Sequence, residues 1–339
     1  MQNLKYNLLL VILFSFLTTN LIGQKEFNKS DSLKGGLSKE RTWWDLKYYH
    51  LQTKVSPDKK YISGSNLIQY EVLKPHQVMQ IDLQQPMKID SIVQNGEQLK
   101  FKTQFDAHFI QLKEDQKTGS INALTVYYSG NPRVAKNAPW DGGFTWEKDD
   151  NGQHFIATAN QGIGPSVWWP CKEHPADEPD SMLISVNVPK PLVDVSNGRL
   201  REVEEHENSR TYHWFVSNPI NNYGVNLNIG DYVNFTEKYD GEKGELDCSY
   251  WVLSYNLEKA KKQFQEVPRM LEAFEYWFGP YPFYEDSYKL VEAPYLGMEH
   301  QSSVTYGNEF KNGYRGRDLS QTGWGLKFDF IIIHESGHE

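Results

Sequence analysis

Six residues, His334-Glu335-Ser336-Gly337-His338-Glu339, carry the types and spacing needed for metal-assisted hydrolysis. Two histidines four apart share one face of a helix, so both imidazoles can reach a single metal ion. Glu335 between them can then act as general base on an attacking water. Zinc suits such donors, but a catalytic zinc takes three protein ligands and keeps one position open, and this motif supplies two. The element that carries the motif has two readings. Phe328-Asp329-Phe330-Ile331-Ile332-Ile333 could be a buried strand, which would turn both histidines awkwardly to one side of an edge. A helix beginning near Thr322 or Gly323, with the isoleucines in the core, presents them better.

Composition sets the frame around this motif. A chain of 339 residues can hold about two domains with full cores, and 39% hydrophobic with 14% aromatic residues is the make-up of a folded protein. Ten tryptophans and twenty tyrosines favour sheet. A net charge of −9 without a long basic run argues against nucleic acid as a partner. No glycine-rich phosphate loop is present, so a nucleotide has no support. At the N-terminus Lys5, the apolar run Leu8–Leu17 and the small polar stretch Thr18–Gly23 form a secretory signal over residues 1–23. The run is too short for a stable membrane anchor, so the expected location is exported, periplasmic or extracellular. Cys171 and Cys248 fit two buried free thiols, although their pairing is left open. Their spacing supports no cysteine metal site.

Residues 24–40 are polar and read as a flexible leader. From there strand patterns recur at Leu46–Val55, Tyr61–Val72, Met79–Leu83, His108–Leu112, Leu124–Tyr128, Met182–Val188 and Thr211–Val216. Short strands at this spacing predict an all-β domain over residues 41–240. After Asn256 the period changes: Ala260, Phe264, Val267, Leu271, Phe274 and Phe278 recur every three or four positions. Pro268 should kink or split that helix, and Gly279-Pro280 should stop it. A short strand, Tyr288–Glu292, then precedes Pro294–His300, and a polar Gly-containing stretch leads into the motif.

Several ordered motifs now carry a resemblance. Gly297-Met298-Glu299-His300 followed by His334-Glu335-x-x-His338 is similar to the G-x-M-E-N and H-E-x-x-H pair of the gluzincin aminopeptidases, peptidase family M1. Trp168-Trp169-Pro170-Cys171-Lys172-Glu173-His174-Pro175 resembles the W-F-P-C-x-D-x-P segment of that family. Ser196-Asn197-Gly198, Pro219-Ile220-Asn221-Asn222-Tyr223 and Gly230-Asp231-Tyr232 follow in the same order, so the match covers about residues 45–339. The resemblance implies an all-β N-terminal domain followed by a thermolysin-like, mainly helical zinc-peptidase domain, of which residues 241–339 are the N-terminal part. It implies one Zn2+ per chain, held by His334, His338 and a glutamate expected beyond Glu339, so that the sequence reads as a truncated piece of a longer enzyme. It assigns Glu299 to the free α-ammonium of a peptide, Gln161 to a supporting contact with the same group, and Gly297 and Met298 to the substrate-binding segment. His300 stands where the family usually has asparagine.

The expectation is therefore a zinc aminopeptidase acting on peptides with a free N-terminus, with Glu335 as the proton carrier. By itself the chain should bind zinc weakly and turn over little peptide, because two imidazoles leave the ion under-coordinated. A zinc endopeptidase would not need Glu299. An epoxide-opening hydrolase and a non-catalytic peptide-binding protein on the same scaffold are further alternatives. The paired tryptophans read as core, and the sequence leaves the oligomeric state open.

Overall fold

A computed structural model describes residues 27–339, so the signal assigned to residues 1–23 lies outside the described residues. Trp44–Ser56 and Tyr61–Val72 form the centre of an eight-stranded sheet, antiparallel to one another, with Ser181–Pro189 parallel to the first. Alternation in Trp44–Ser56 is only partial for a physical reason. A bulge between Leu46 and Tyr48 shifts the phase, so Trp44 and Leu46, then Tyr49, Leu51 and Val55, all face inward. Beneath that face lies a four-stranded sheet of Gly143–Lys148, His154–Ala159, Val193–Val195 and Asn228–Gly230. All four paired tryptophans are buried: Trp168 meets Phe144 of the lower sheet, Trp169 meets Tyr49 edge-on at 5.3 Å, and Trp43 and Trp44 pack on Tyr70. These pairs are core, as expected, and both cysteines are free and buried.

Part of the stretch read as a flexible leader has structure. Lys29–Leu33 is a helical turn closed by a reciprocal capping box between Asn28 and Asp31, and Lys34 Nζ donates to Ile163 O at 2.6 Å. The capping pair is local, but the contacts that dock the turn, from Ile163 to Lys34 and from Gln80 to Leu33, lie far away in sequence, and composition gave no sign of them.

A separate five-stranded sheet follows: Tyr232–Gly241, Gly244–Leu253, Tyr288–Glu292, Val304–Tyr306 and Gly297–Met298. The hairpin that crosses residue 240 lies wholly in this sheet, so the chain changes sheets at about Asp231. Tyr288–Glu292 pairs in parallel on both sides and is buried along its length. The helical region splits into Leu257–Gln263 and Glu266–Phe278, with Pro268 in the first turn of the second helix, where its missing N–H costs nothing. Gly279 ends that helix at φ 95° while its N–H reaches Glu275 O at 3.0 Å. Val267, Leu271, Tyr288, Leu290, Val304, Tyr306, Ile331 and Ile332 share one core. Among the described residues no helix is long and apolar enough to cross a membrane.

Candidate active site

The motif helix runs Phe330–Ser336, not from Thr322 or Gly323. Asp329 sets its start. The Asp329 carboxylate accepts the N–H groups of Ile331 at 3.1 Å and Ile332 at 3.4 Å, meeting donors that a helix N-terminus leaves orphaned. It also accepts from Tyr306 Oη at 2.7 Å, Asn308 Nδ2 at 2.7 Å and Gln263 Nε2 at 2.9 Å. Five donors thus converge on one buried carboxylate. Ile331 and Ile332 then fill the core, which turns His334 outward and keeps Glu335 buried. Beyond Ser336 the turn continues through His338 N to Glu335 O at 3.3 Å, so His338 remains over His334. The two rings stand perpendicular with centroids 4.8 Å apart, and neither has a hydrogen-bond partner among the described residues.

A cleft of about 210 Å³ opens over this helix. All seven residues singled out in the sequence line it: Gln161, Gly297, Met298, Glu299, His334, Glu335 and His338. Trp140 and Tyr314 also line it and were missed in the sequence, where neither belongs to a motif. Gly297–Met298 is the edge strand of the five-stranded sheet, antiparallel to Val304–Tyr306, and it passes directly over the motif helix. Only glycine permits that approach. A Cβ at Gly297 would lie 2.5 Å from Glu335 Oε1 and 2.7 Å from Ile331 Cγ2. Gly297→Ala should therefore cost about 1–3 kcal/mol and push Glu335 out of place. Equal urea midpoints for the variant and the parent chain would contradict this.

Glu299 presents its carboxylate to the same cleft and accepts a hydrogen bond from Tyr223 Oη at 2.8 Å. Tyr223 belongs to a motif noted in the sequence, but its role was invisible there because its partner lies 76 positions away. Burial, and next the Glu299 charge, hold the Glu335 carboxyl at about 8. Burial and the neighbouring His338 lower His334. Gln161 lines the cleft and makes no side-chain hydrogen bond among the described residues.

His300, the departure from the family pattern, is fully buried. Its Nδ1 meets Asn226 Nδ2 at 3.1 Å and its Nε2 has no partner. Burial lowers its pKa to about 4. The unfolded chain, with an ordinary histidine near 6.5, binds the proton first as pH falls. This contribution is thus fully present above about pH 6.5 and lost progressively towards about pH 4. Between pH 7 and about pH 5, His300 should remove about 2 kcal/mol of stability that a His300→Asn variant retains. Urea unfolding of both chains at the two pH values measures this, and parallel losses would refute it.

Among the described residues no set of three or more His, Cys, Asp or Glu side chains converges to hold a metal ion. The donors that do converge nevertheless fit zinc in kind: two adjacent imidazoles with free ring nitrogens, beside carboxylates that repel one another.

Fold and cleft together define the class: a β-rich N-terminal part leading into a sheet-and-helix part that carries an H-E-x-x-H helix. Residues 46–223 match the Peptidase M1 N-terminal domain, and the chain belongs to the M1 peptidase family. No curated protein matches the chain in sequence. Among solved structures, the M1 zinc metallopeptidase from Deinococcus radiodurans is similar at a TM-score of 0.72 and 19% identity, over 89% of this chain and 65% of that one. A point mutant of an M1 zinc metallopeptidase from the same organism, bound to a Tyr-Ser-Ala substrate, is similar at 0.68 and 20% identity, over 78% of this chain and 61% of that one. At such identity the likeness is one of fold. The chain spans 60–65% of the length of these structures.

Proposed function

We propose that the chain carries the substrate-amine anchor and two zinc ligands of a zinc aminopeptidase. The observation that supports this best is the placement of Glu299 in the cleft that holds His334, Glu335 and His338, with its carboxylate oriented by Tyr223. An endopeptidase has no use for a carboxylate aimed at a free ammonium, and a plain binding protein has no use for Glu335 beside two unpartnered imidazoles.

His334 and His338 would hold the ion. Bound zinc supplies polarisation of the scissile carbonyl and a lowered pKa for water. Glu299 binds the α-ammonium through a charge-assisted hydrogen bond, and this fixes the first peptide bond over the imidazoles. Gln161 accepts from the same ammonium through its amide oxygen. Glu335, held near neutral pKa by burial, takes the proton of the attacking water and passes it to the leaving nitrogen. The apparent signal over residues 1–23 supports a site of action outside the cytoplasm.

The test is a calorimetric comparison, with zinc present, of a tripeptide carrying a free N-terminus and its N-acetylated counterpart. The free peptide should bind at least about tenfold more tightly. Equal affinity would favour the endopeptidase reading.

A further inference from the structure

The segment that carries Glu299 is attached to the β-rich N-terminal part at each of its five residues. Tyr223 Oη donates to Glu299 Oε1 at 2.8 Å. Asn226 Nδ2 faces His300 Nδ1 at 3.1 Å and reaches Ser303 O at 3.4 Å. Asn197 Nδ2 donates to Gln301 O at 2.7 Å, while Gln301 Nε2 donates to Pro219 O at 3.0 Å. Gly198 N donates to Ser302 Oγ at 2.8 Å. Ser302 takes a left-handed φ of 52°, a conformation a serine holds only where its surroundings enforce it. Asn197 Oδ1 in turn accepts from Asn226 N at 3.0 Å, so the holding residues are tied to each other. Asn197, Asn226, His300, Ser302 and Ser303 are all fully buried, and hydrogen bonds made there are costly to lose.

The imidazoles have a different support. They hang from a helix fixed by Asp329 and by the core of the five-stranded sheet. The amine anchor sits on a loop between two strands of that sheet, Gly297–Met298 and Val304–Tyr306, and Ser302 N also reaches Glu339 beyond the motif helix. The loop's other side-chain partners come from the β-rich N-terminal part on the far side. An exopeptidase that removes one residue needs the distance between the anchor and the imidazoles fixed to within about half an ångström.

We propose that the β-rich N-terminal part sets this distance, with Tyr223 and Asn226 as the positioning residues. The inference rests on the reading of Glu299 as the amine anchor. Tyr223 occupies one carboxylate oxygen and leaves the other for the ammonium. Asn226 bridges His300 and Ser303, the two ends of the turn behind Glu299, and so stops the segment sliding along the cleft. His300 serves here as a neutral, space-filling acceptor in a buried wall.

The probes are the hydroxamates of leucine and of β-homoleucine, measured by calorimetry with zinc present. In the second compound the ammonium lies one methylene further from the metal-binding group. The parent chain should prefer the leucine compound. In Tyr223→Phe, which removes a single hydroxyl from a half-buried ring, and in Asn226→Ala, that preference should fall about tenfold, while zinc affinity stays unchanged. Tyr223→Phe keeps the test valid should Asn226→Ala fold poorly. An undiminished preference for leucine in folded Tyr223→Phe would overturn the proposal. Glu299→Gln separates the two levels of the argument. Loss of all dependence on the amine upholds the anchor and leaves the positioning claim to the other variants. Unchanged binding would remove the anchor, and the positioning claim with it.

Discussion

Replacing Asp329 with alanine should cost about 4 kcal/mol of stability and weaken zinc binding in the same step. The cap itself is worth about 1–2 kcal/mol. The rest comes from the donors left behind: Tyr306 Oη would lose its acceptor, at about 1–3 kcal/mol, while Asn308 Nδ2 and Gln263 Nε2 would each lose a charge-assisted bond but keep Lys311 O, Gly313 O and Asn312 Oδ1. The motif helix has only seven residues, too few to hold together without its tertiary contacts. Fraying of its first turn would therefore move Ile331, Ile332 and both imidazoles together. Asp329→Asn should be milder, because an amide oxygen can still cap the helix, although its NH2 would oppose the Gln263 and Tyr306 donors until the Tyr306 hydroxyl and the Gln263 amide turn to accept from it. Urea unfolding and zinc titration on the same three proteins check the prediction. An alanine variant that lost stability but bound zinc as the parent does would show that the helix N-terminus is not what positions the imidazoles.

Glu299→Gln should abolish discrimination between free and blocked N-termini at almost no cost in stability. Glu299 is only partly buried, and a glutamine oxygen can still accept from Tyr223. What disappears is the charge opposite the ammonium, worth about 2–3 kcal/mol in a partly dry cleft, or roughly thirty- to 150-fold in affinity. The acetylated peptide never used that charge, so its affinity should not change. Calorimetry with the two peptides reads both arms. A parallel loss for both would mean that Glu299 shapes the cleft without recognising the amine.

Much of this architecture was legible in the sequence because its determinants are local. Pro268 and Gly279 act on backbone within one turn: the split falls at Phe264–Gln265, one turn before Pro268, and the stop at Gly279 itself. Strand alternation around Tyr61–Val72 and Ser181–Pro189 follows from one solvated face. The short motifs of the cleft were legible for the same reason, since Gly297–Glu299 and His334–His338 are contiguous pieces. The start of the motif helix was hidden because Asp329 sits between Phe328 and Phe330, inside an apolar run. Its role as a cap depends on Gln263, Tyr306 and Asn308 arriving from elsewhere. Arg199–Glu205 is largely exposed, and Lys88–Gln94 is broken by a bulge between Ile89 and Ser91, so neither carries a clean periodic signal. Tyr223 and Asn226 act only through contacts more than seventy positions distant, which no local pattern can report.

The most direct test is a crystal structure of the chain with zinc and leucine hydroxamate. Our account predicts the ion between His334 and His338, with the ligand ammonium within about 2.7–3.2 Å of the Glu299 carboxylate. A ligand whose ammonium points into solvent, with Glu299 untouched, would contradict it.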